Sequence, residues 1–430
     1  MGAGDLLGLG VDLGSSGLRL ALVGADGHSL AERSSAYPRP FEDPEGWRQG
    51  LATLVTALPQ HLRQRIGAIA IAGTSGTLLR CSADGAPRGL ALSYATACPE
   101  QIPTLAALVP EGGPAASASG SLARALRLWG AFPQALNPSQ DLLRHQADWL
   151  MGWLLADWRW GEEANNLRLG WDQQQQRWAG SIAAQPWAQA LPELVAGGTG
   201  LGPLAAAVAA SLGLPPSCQV VAGSTDGNAI VLAAAPGPGD GVAVLGTTLV
   251  LKQFSPQPLA GAGVSNHRLG GQWLVGGASN GGAGVLRQFF SNEQLEQLSR
   301  QIDPNRPSGL ALRPLPGRGE RFPIDDPELA PVLGPRPVSD ALYLQALLEG
   351  LTELERLGWQ KLQELGAPAV QRVLSVGGGA NNPQWRLLRQ RALQIPVLNR
   401  AKASAAAAMG RWALASIGWE QPAPPEIRHE

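Results

Sequence analysis

The chain has 430 residues, 44% of them hydrophobic and 16% charged, with a formal net charge of −1. That length exceeds one ordinary core and points to two domains, while the charge balance argues against nucleic acid or an anionic membrane as main partner. Scattered cysteines (Cys81, Cys98 and Cys218), no bilayer-length apolar run and no basic leader argue against a disulfide framework, a zinc site, a membrane span or a signal peptide, so a soluble cytoplasmic protein is expected.

In chain order, an apolar run from Leu6 to Val11 delivers Asp12, then the small residues Gly14-Ser15-Ser16-Gly17, then a second apolar run from Leu18 to Val23. This pattern predicts a β-hairpin whose tip can aim backbone N–H groups at an anion, with a carboxylate beside it. A helical patch around Leu51 to Arg63 precedes a strand from Ile66 to Ile71, which runs into Gly73-Thr74-Ser75-Gly76. Ser121 to Trp129 and Leu142 to Leu155 carry helical periodicity. The tryptophan-rich piece from Trp149 to Trp178 reads as a substrate-side insertion or cover, its aromatics serving packing before ligand stacking.

A second block opens near Gln219, where Val220-Val221-Ala222-Gly223 leads to Ser224-Thr225-Asp226-Gly227-Asn228 and a small-residue helix through Ala235. Pro236-Gly237-Pro238-Gly239 is the best linker candidate. Gly241 to Leu245 and Leu249 to Leu251 then flank Gly246-Thr247-Thr248 as another hairpin with a small tip. The stretch from Pro304 to Pro337 is proline-rich and irregular, and Ser339 to Leu365 is a long amphipathic helix. Val373 to Val376 is a strand into Gly377-Gly378-Gly379-Ala380, and Ala403 to Ile417 is an alanine-rich helix. Strands alternating with helices in both halves give an α/β protein.

Small-residue strand-end turns thus recur at 12–17, 223–227, 246–248 and 377–380, the places where α/β sheets hold anions. No G-x-x-x-x-G-K-[ST] is present, which excludes a P-loop, and no G-x-G-x-x-G opens a helix after the first strand. Gly277-Ala278-Ser279-Asn280-Gly281 satisfies the G-x-S-x-G nucleophile-elbow pattern after a strand. A hydrolase then needs a later histidine, and only His429, in a Pro- and charge-rich tail, follows Ser279. The histidines His28, His61, His145 and His267 read as isolated surface or helix-face residues.

Taken together, Asp12-x-Gly14-Ser15-Ser16-x-x-Arg19, Ala222-Gly223-x-x-Asp226-Gly227, Gly246-Thr247-Thr248 and Gly377-Gly378-Gly379-Ala380-x-Asn382 resemble the motifs of the FGGY carbohydrate kinases, in that family's order and approximate spacing. Gly319-Glu320-Arg321 and Gln384-Trp385 add to the likeness, which covers nearly the whole chain. The resemblance implies two ribonuclease-H-like domains of the actin-like ATPase architecture with a cleft between them. A sugar-binding domain over 1–235 would be joined by a C-terminal helix at about 405–430, and a nucleotide-binding domain would span 236–404. It implies ATP and Mg²⁺, with Asp226 as the catalytic base for the sugar hydroxyl and Asp12 as metal ligand. Gly14, Ser15, Ser16, Gly246, Thr247 and Thr248 would hold phosphates, and Gly378, Gly379, Ala380 and Asn382 the adenosine. Asp12, Ser75, Asp226 and, more loosely, Asn165 would contact the sugar.

The xylulokinase Gln-Met-His-Gly segment and the glycerol kinase Asn-Gln-Arg pattern are both missing, and Ala72-Gly73-Thr74-Ser75-Gly76-Thr77 stands at the matching stretch. The chain is most similar to the compact ribulose/xylulose-kinase branch of cyanobacteria and plants, which implies D-ribulose, giving D-ribulose 5-phosphate, as the acceptor. The alternatives are a D-xylulose kinase, or an actin-like-fold ATPase or regulatory protein without a sugar acceptor. A small-molecule sugar is the expected partner, with no nucleic acid and no membrane, and the protein is expected to be a monomer or homodimer.

Overall fold

Two six-stranded sheets carry the fold of the computed structural model, which describes residues 6–130 and 141–418. The chain divides into two units, one of Met1–Ala233, Arg268–Gly271 and Ser404–Glu430, the other of Ala234–His267 and Gln272–Ala403. Among the described residues, no helix is long and apolar enough to cross a membrane.

In the first unit the strands lie in the order Gly200–Pro203, Gln219–Thr225, Ile66–Gly73, Leu7–Leu13, Leu18–Val23 and Ser29–Ser35. The last three form an antiparallel meander, while Leu7–Leu13, Ile66–Gly73 and Gln219–Thr225 run parallel to one another. The second unit repeats the plan: Asp240–Leu245, Leu249–Ser255 and Gln272–Ser279 are antiparallel neighbours, and Arg372–Val376 and Val397–Asn399 extend the sheet in parallel.

Side-chain alternation explains how the first strand is used. Leu7, Leu9, Val11 and Leu13 enter the larger core with Trp47, Leu51, Ile69 and Trp149. Gly8 and Gly10 lie between them in sequence and admit the helix Ala405–Ala415 at backbone distance. A Cβ on Gly10 would stand 1.8 Å from the Ala406 carbonyl oxygen, and one on Gly8 2.1 Å from that of Gly410. The small residues Ala68, Ala70 and Ala72 of the adjacent strand pack on the same helix face with Met409 and Ala413. The far tail, including His429 and the end of the expected 405–430 helix, lies outside the described residues.

Several sequence expectations change. The helix expected from Leu51 begins at Pro44 and ends at Thr56, with Asp43 accepting the Glu45 N–H as its cap. The helix expected from Leu142 begins at Gln146, because Asp141–His145 is a strand paired with Leu78–Ser82. Trp149 is core rather than cover, edge-on to Trp47 at 6.0 Å. His145 is buried, not at the surface, with Nε2 3.0 Å from Ser121 Oγ. Ser279 stands on no elbow: it is the last residue of the strand Gln272–Ser279.

Candidate active site

In the first unit two carboxylates and a small-residue turn lie at the C-terminal ends of three adjacent parallel strands. Asp12 stands opposite Ala72, and Ala72 opposite Ser224, so Asp12, the Gly73–Ser75 turn and Asp226 share one sheet edge. That edge is where open α/β sheets bind ligands.

Asp226 opens the helix Asp226–Ala233. Capping is the ordinary reason for an Asp there, but Thr225 performs it, its Oγ1 accepting the Asn228 N–H at 3.2 Å. The Asp226 Oδ1 accepts the Gly227 N–H at 2.8 Å and the Ser75 N–H at 3.3 Å. Its Oδ2 accepts no hydrogen bond from the described residues. Burial pushes its pKa up to about 6, with the Asp12 charge adding to the rise and the two backbone donors opposing it. One oxygen is therefore fixed and the other is free, on a group that titrates near neutrality.

Asp12 is 7% exposed and pairs with Arg19 Nη1 at 3.1 Å. Burial raises its pKa, and the Arg19 guanidinium works against that rise. At the hairpin tip the Gly14 N–H donates to Gly17 O at 2.9 Å, and the Tyr37 hydroxyl donates to Gly14 O at 2.8 Å. Ser15 and Ser16 are exposed beyond it. The Ser75 hydroxyl, by contrast with its backbone N–H, is uncommitted among the described residues.

Two residues that the sequence did not single out join this edge. Tyr37 is held back from ionising by burial, neighbours Gln146, and senses the charges of Asp12 and Asp226. Gln146 is fully buried, and its Oε1 accepts from the Thr74 N–H at 3.1 Å and Thr74 Oγ1 at 2.8 Å. Its Nε2 has no partner, an uncompensated donor at a sheet edge lined with acceptors. Neither residue sits in a small-residue turn, the only signal the motif reading used.

Asn165 is 2% exposed, with its Nδ2 donating to Glu162 at 3.2 Å. The Glu162 side chain caps the short helix Glu163–Asn166, and burial raises its pKa to about 8. Asn165 is thus committed to this turn, although its Oδ1 has no partner.

In the second unit the Gly246–Thr248 tip joins Asp240–Leu245 to Leu249–Ser255, with Thr247 exposed. The segment after Ser279 braces it: the Leu249 N–H donates to Gly281 O at 2.7 Å and the Ala283 N–H to Gly246 O at 2.9 Å. Gly377 turns out of its strand at φ +85°, and Gly378 presents open backbone, where a Cβ would meet nothing. Gly379 is packed instead, because a Cβ would come within 2.6 Å of Trp385. Ala380 is buried. Asn382, expected near the adenine, spends both ends of its side chain inside the unit: Oδ1 accepts the Trp385 N–H at 3.0 Å and Nδ2 donates to Ser299 Oγ at 2.8 Å.

Residues 241–419 match the FGGY family of carbohydrate kinases, C-terminal domain. The fold matches a ligand-bound xylulose kinase from Lactobacillus acidophilus (TM-score 0.81, 16% identity, 97% of this chain and 90% of that one). It equally matches a xylulose kinase from Brucella ovis (TM-score 0.81, 22% identity, 96% and 91%). An ADP-bound glycerol kinase from Plasmodium falciparum gives TM-score 0.79 at 13% identity over 96% of this chain and 89% of that one. These identities speak for the fold alone. Residues 241–419 thus carry the C-terminal domain of the FGGY family of carbohydrate kinases, and the chain shares its fold with sugar kinases along nearly all of its length.

Proposed function

We propose that the chain is a sugar kinase that transfers the γ-phosphoryl group of ATP to a hydroxyl of a ketopentose, D-ribulose giving D-ribulose 5-phosphate and ADP. The observation that carries the reading is Asp226: a carboxylate locked through one oxygen, open at the other, and sharing its sheet edge with Asp12 and Ser75.

Asp226 Oδ2 accepts the proton of the attacking hydroxyl as its oxygen bonds to the γ-phosphorus. The bond from phosphorus to the bridging oxygen breaks, and its electron pair leaves with ADP. Fixing Oδ1 on two backbone N–H groups orients that base before the acceptor arrives. Ser75 Oγ and Gln146 Nε2 supply an uncommitted hydroxyl and an uncommitted donor for the other sugar oxygens.

In the hairpin, Gly14, Ser15 and Ser16 would face the phosphates. In the second unit Gly246, Thr247 and Thr248 would do so too, while Gly378, whose backbone is open, would give the adenosine close approach. Among the described residues no group of three or more His, Cys, Asp or Glu is arranged to hold a metal. That fits Mg²⁺ arriving with the nucleotide, since Mg²⁺ takes one or two carboxylates together with phosphate oxygens and water. Asp12 is the carboxylate that would hold it, and the ion would neutralise charge on the β- and γ-phosphates.

D-Xylulose is the second reading, favoured by the xylulose kinases among the fold neighbours. Coupled ADP release with Mg²⁺–ATP against D-ribulose, L-ribulose, D-xylulose, glycerol and no sugar tests both. Strong stimulation by D-ribulose is expected. Preference for D-xylulose replaces the first reading with the second, and equal release with every sugar and with none refutes both.

A further inference from the structure

Glu320 belongs to no role assigned above, and it lies in the proline-rich stretch whose surroundings read as irregular in the sequence. It is 3% exposed, yet it accepts four hydrogen bonds. Its Oε1 takes the N–H groups of Asn280 at 2.8 Å, Arg321 at 2.8 Å and Phe322 at 3.3 Å, and its Oε2 takes the Ser279 hydroxyl at 2.5 Å. A backbone bridge to Asp326, with N···O distances of 2.8 and 2.9 Å, fixes the glutamate itself.

From Ser279 the connection continues toward the Gly246–Thr248 tip. The Ser279 Oγ accepts the Gly281 N–H at 2.9 Å. The Gly281 carbonyl accepts Leu249 N–H, the first residue after the tip, and the Gly284 N–H donates to Thr247 O at 3.2 Å. At Gly282 the segments touch so closely that a Cβ would stand 2.4 Å from Thr247 O. Beyond the Ser279 hydroxyl every link is a backbone hydrogen bond or a backbone contact, so a displacement at Ser279 reaches the tip without a long side chain to absorb it.

We propose that Glu320 is a positioning residue for the phosphate-binding turn Gly246–Thr248, acting through Ser279 and Gly281. A carboxylate facing a phosphate chain would repel it, but one set behind the turn can fix the turn's backbone for the anion. The G-x-S-x-G pattern that mimics a hydrolase elbow is thereby accounted for: its serine is a strut rather than a nucleophile. This inference rests on the reading of Gly246–Thr248 as a phosphate site.

The test compares binding of ATP and of adenosine, by calorimetry, to full-length wild type, Ser279→Ala, Glu320→Gln and Thr248→Ala. Glu320→Gln keeps shape and the Oε1 acceptor but turns an amide toward the Ser279 hydroxyl. Ser279→Ala removes the strut with the glutamate in place. The expected result is an ATP Kd raised about tenfold in each variant, the size of one hydrogen bond, with adenosine affinity and sugar KM within twofold of wild type. A general loss of fold would weaken adenosine and sugar as well, and would overturn the positioning role. Unchanged ATP affinity in Ser279→Ala and Glu320→Gln, with Thr248→Ala impaired, overturns it while leaving the turn a phosphate site. If Thr248→Ala also binds ATP normally, the turn is not that site and the proposal falls with it.

Discussion

Replacing Asp226 with Asn should abolish turnover and stabilise the protein, and the stabilisation should depend on pH in a defined direction. In the folded chain the carboxyl titrates at about 6, against 3.8 for an ordinary Asp. A group whose folded pKa is raised holds more protons in the native state than in the unfolded one at intermediate pH. Its contribution is therefore fully present below 3.8 and is lost as pH rises toward 6. The full difference amounts to about 3 kcal/mol. Asp226 keeps partial access to water, so about 1–3 kcal/mol is the expected gain from Asp226→Asn at pH 8, shrinking to about 0.5 kcal/mol or less at pH 4. The asparagine retains Oδ1 for the Ser75 and Gly227 N–H groups, so the hydrogen bonds survive. Calorimetric unfolding should show a Tm rise of roughly 3–10 °C at pH 8. Sugar-dependent ADP release should fall by about 10²–10⁴. A variant equally stabilised at pH 4 and pH 8, or destabilised at pH 8, would refute the burial argument. Retained turnover would remove Asp226 from the base role.

In the wild type, kcat/KM for the sugar should lose activity about tenfold per pH unit below about 6, as Asp226 takes up its proton; a flat profile from pH 5 to 8 would contradict this. Gln146→Leu removes the unpartnered Nε2 donor, so sugar KM should rise about tenfold while ATP KM stays put. The same change leaves the Thr74 N–H without its acceptor and should cost about 1–3 kcal/mol in denaturant unfolding. Gly10→Ala drives a methyl to 1.8 Å from the Ala406 carbonyl oxygen, so a loss of about 3 kcal/mol or an insoluble product is expected; a wild-type Tm would disprove the close packing.

The carboxylate edge was readable because its parts announce themselves locally. Asp12 and Asp226 each follow a run of apolar residues and adjoin small ones, and Ser75 lies in the turn just after the strand between them in the sheet. Tyr37 and Gln146 were not readable, nor was the role of Glu320 beyond its motif, since each acts through partners far along the chain: Glu320 reaches back some 40 residues to Ser279, and Gln146 about 70 to Thr74. The stretch 142–145 read as helix because two adjacent leucines fit either period, and only the pairing of Asp141–His145 with Leu78–Ser82 decides the matter. Ser279 matched a motif whose geometry the strand denies it. Asn382 sits in the turn the motif indicated, but its amide is used for a helix cap and for Ser299, neither of which spacing reveals.

The glycines of the first strand set an order on how this chain is made. Gly8 and Gly10 leave the first part of one face of Leu7–Leu13 without side chains, and the helix that covers it, Ala405–Ala415, is translated nearly 400 residues later. A first-unit sheet formed before that helix would lack its cover, leaving Ala68, Ala70 and Ala72 open beside the glycine stripe. Unit 1 is therefore a late-closing body: a ribosome must make the helix Ala405–Ala415 before the strand Leu7–Leu13 finds that neighbour. Contacts of such sequence separation are slow to form and leave apolar surface exposed in the meantime. A nascent chain stalled before Ser404 should thus be sensitive to protease in its earliest residues and lose that sensitivity once the helix emerges.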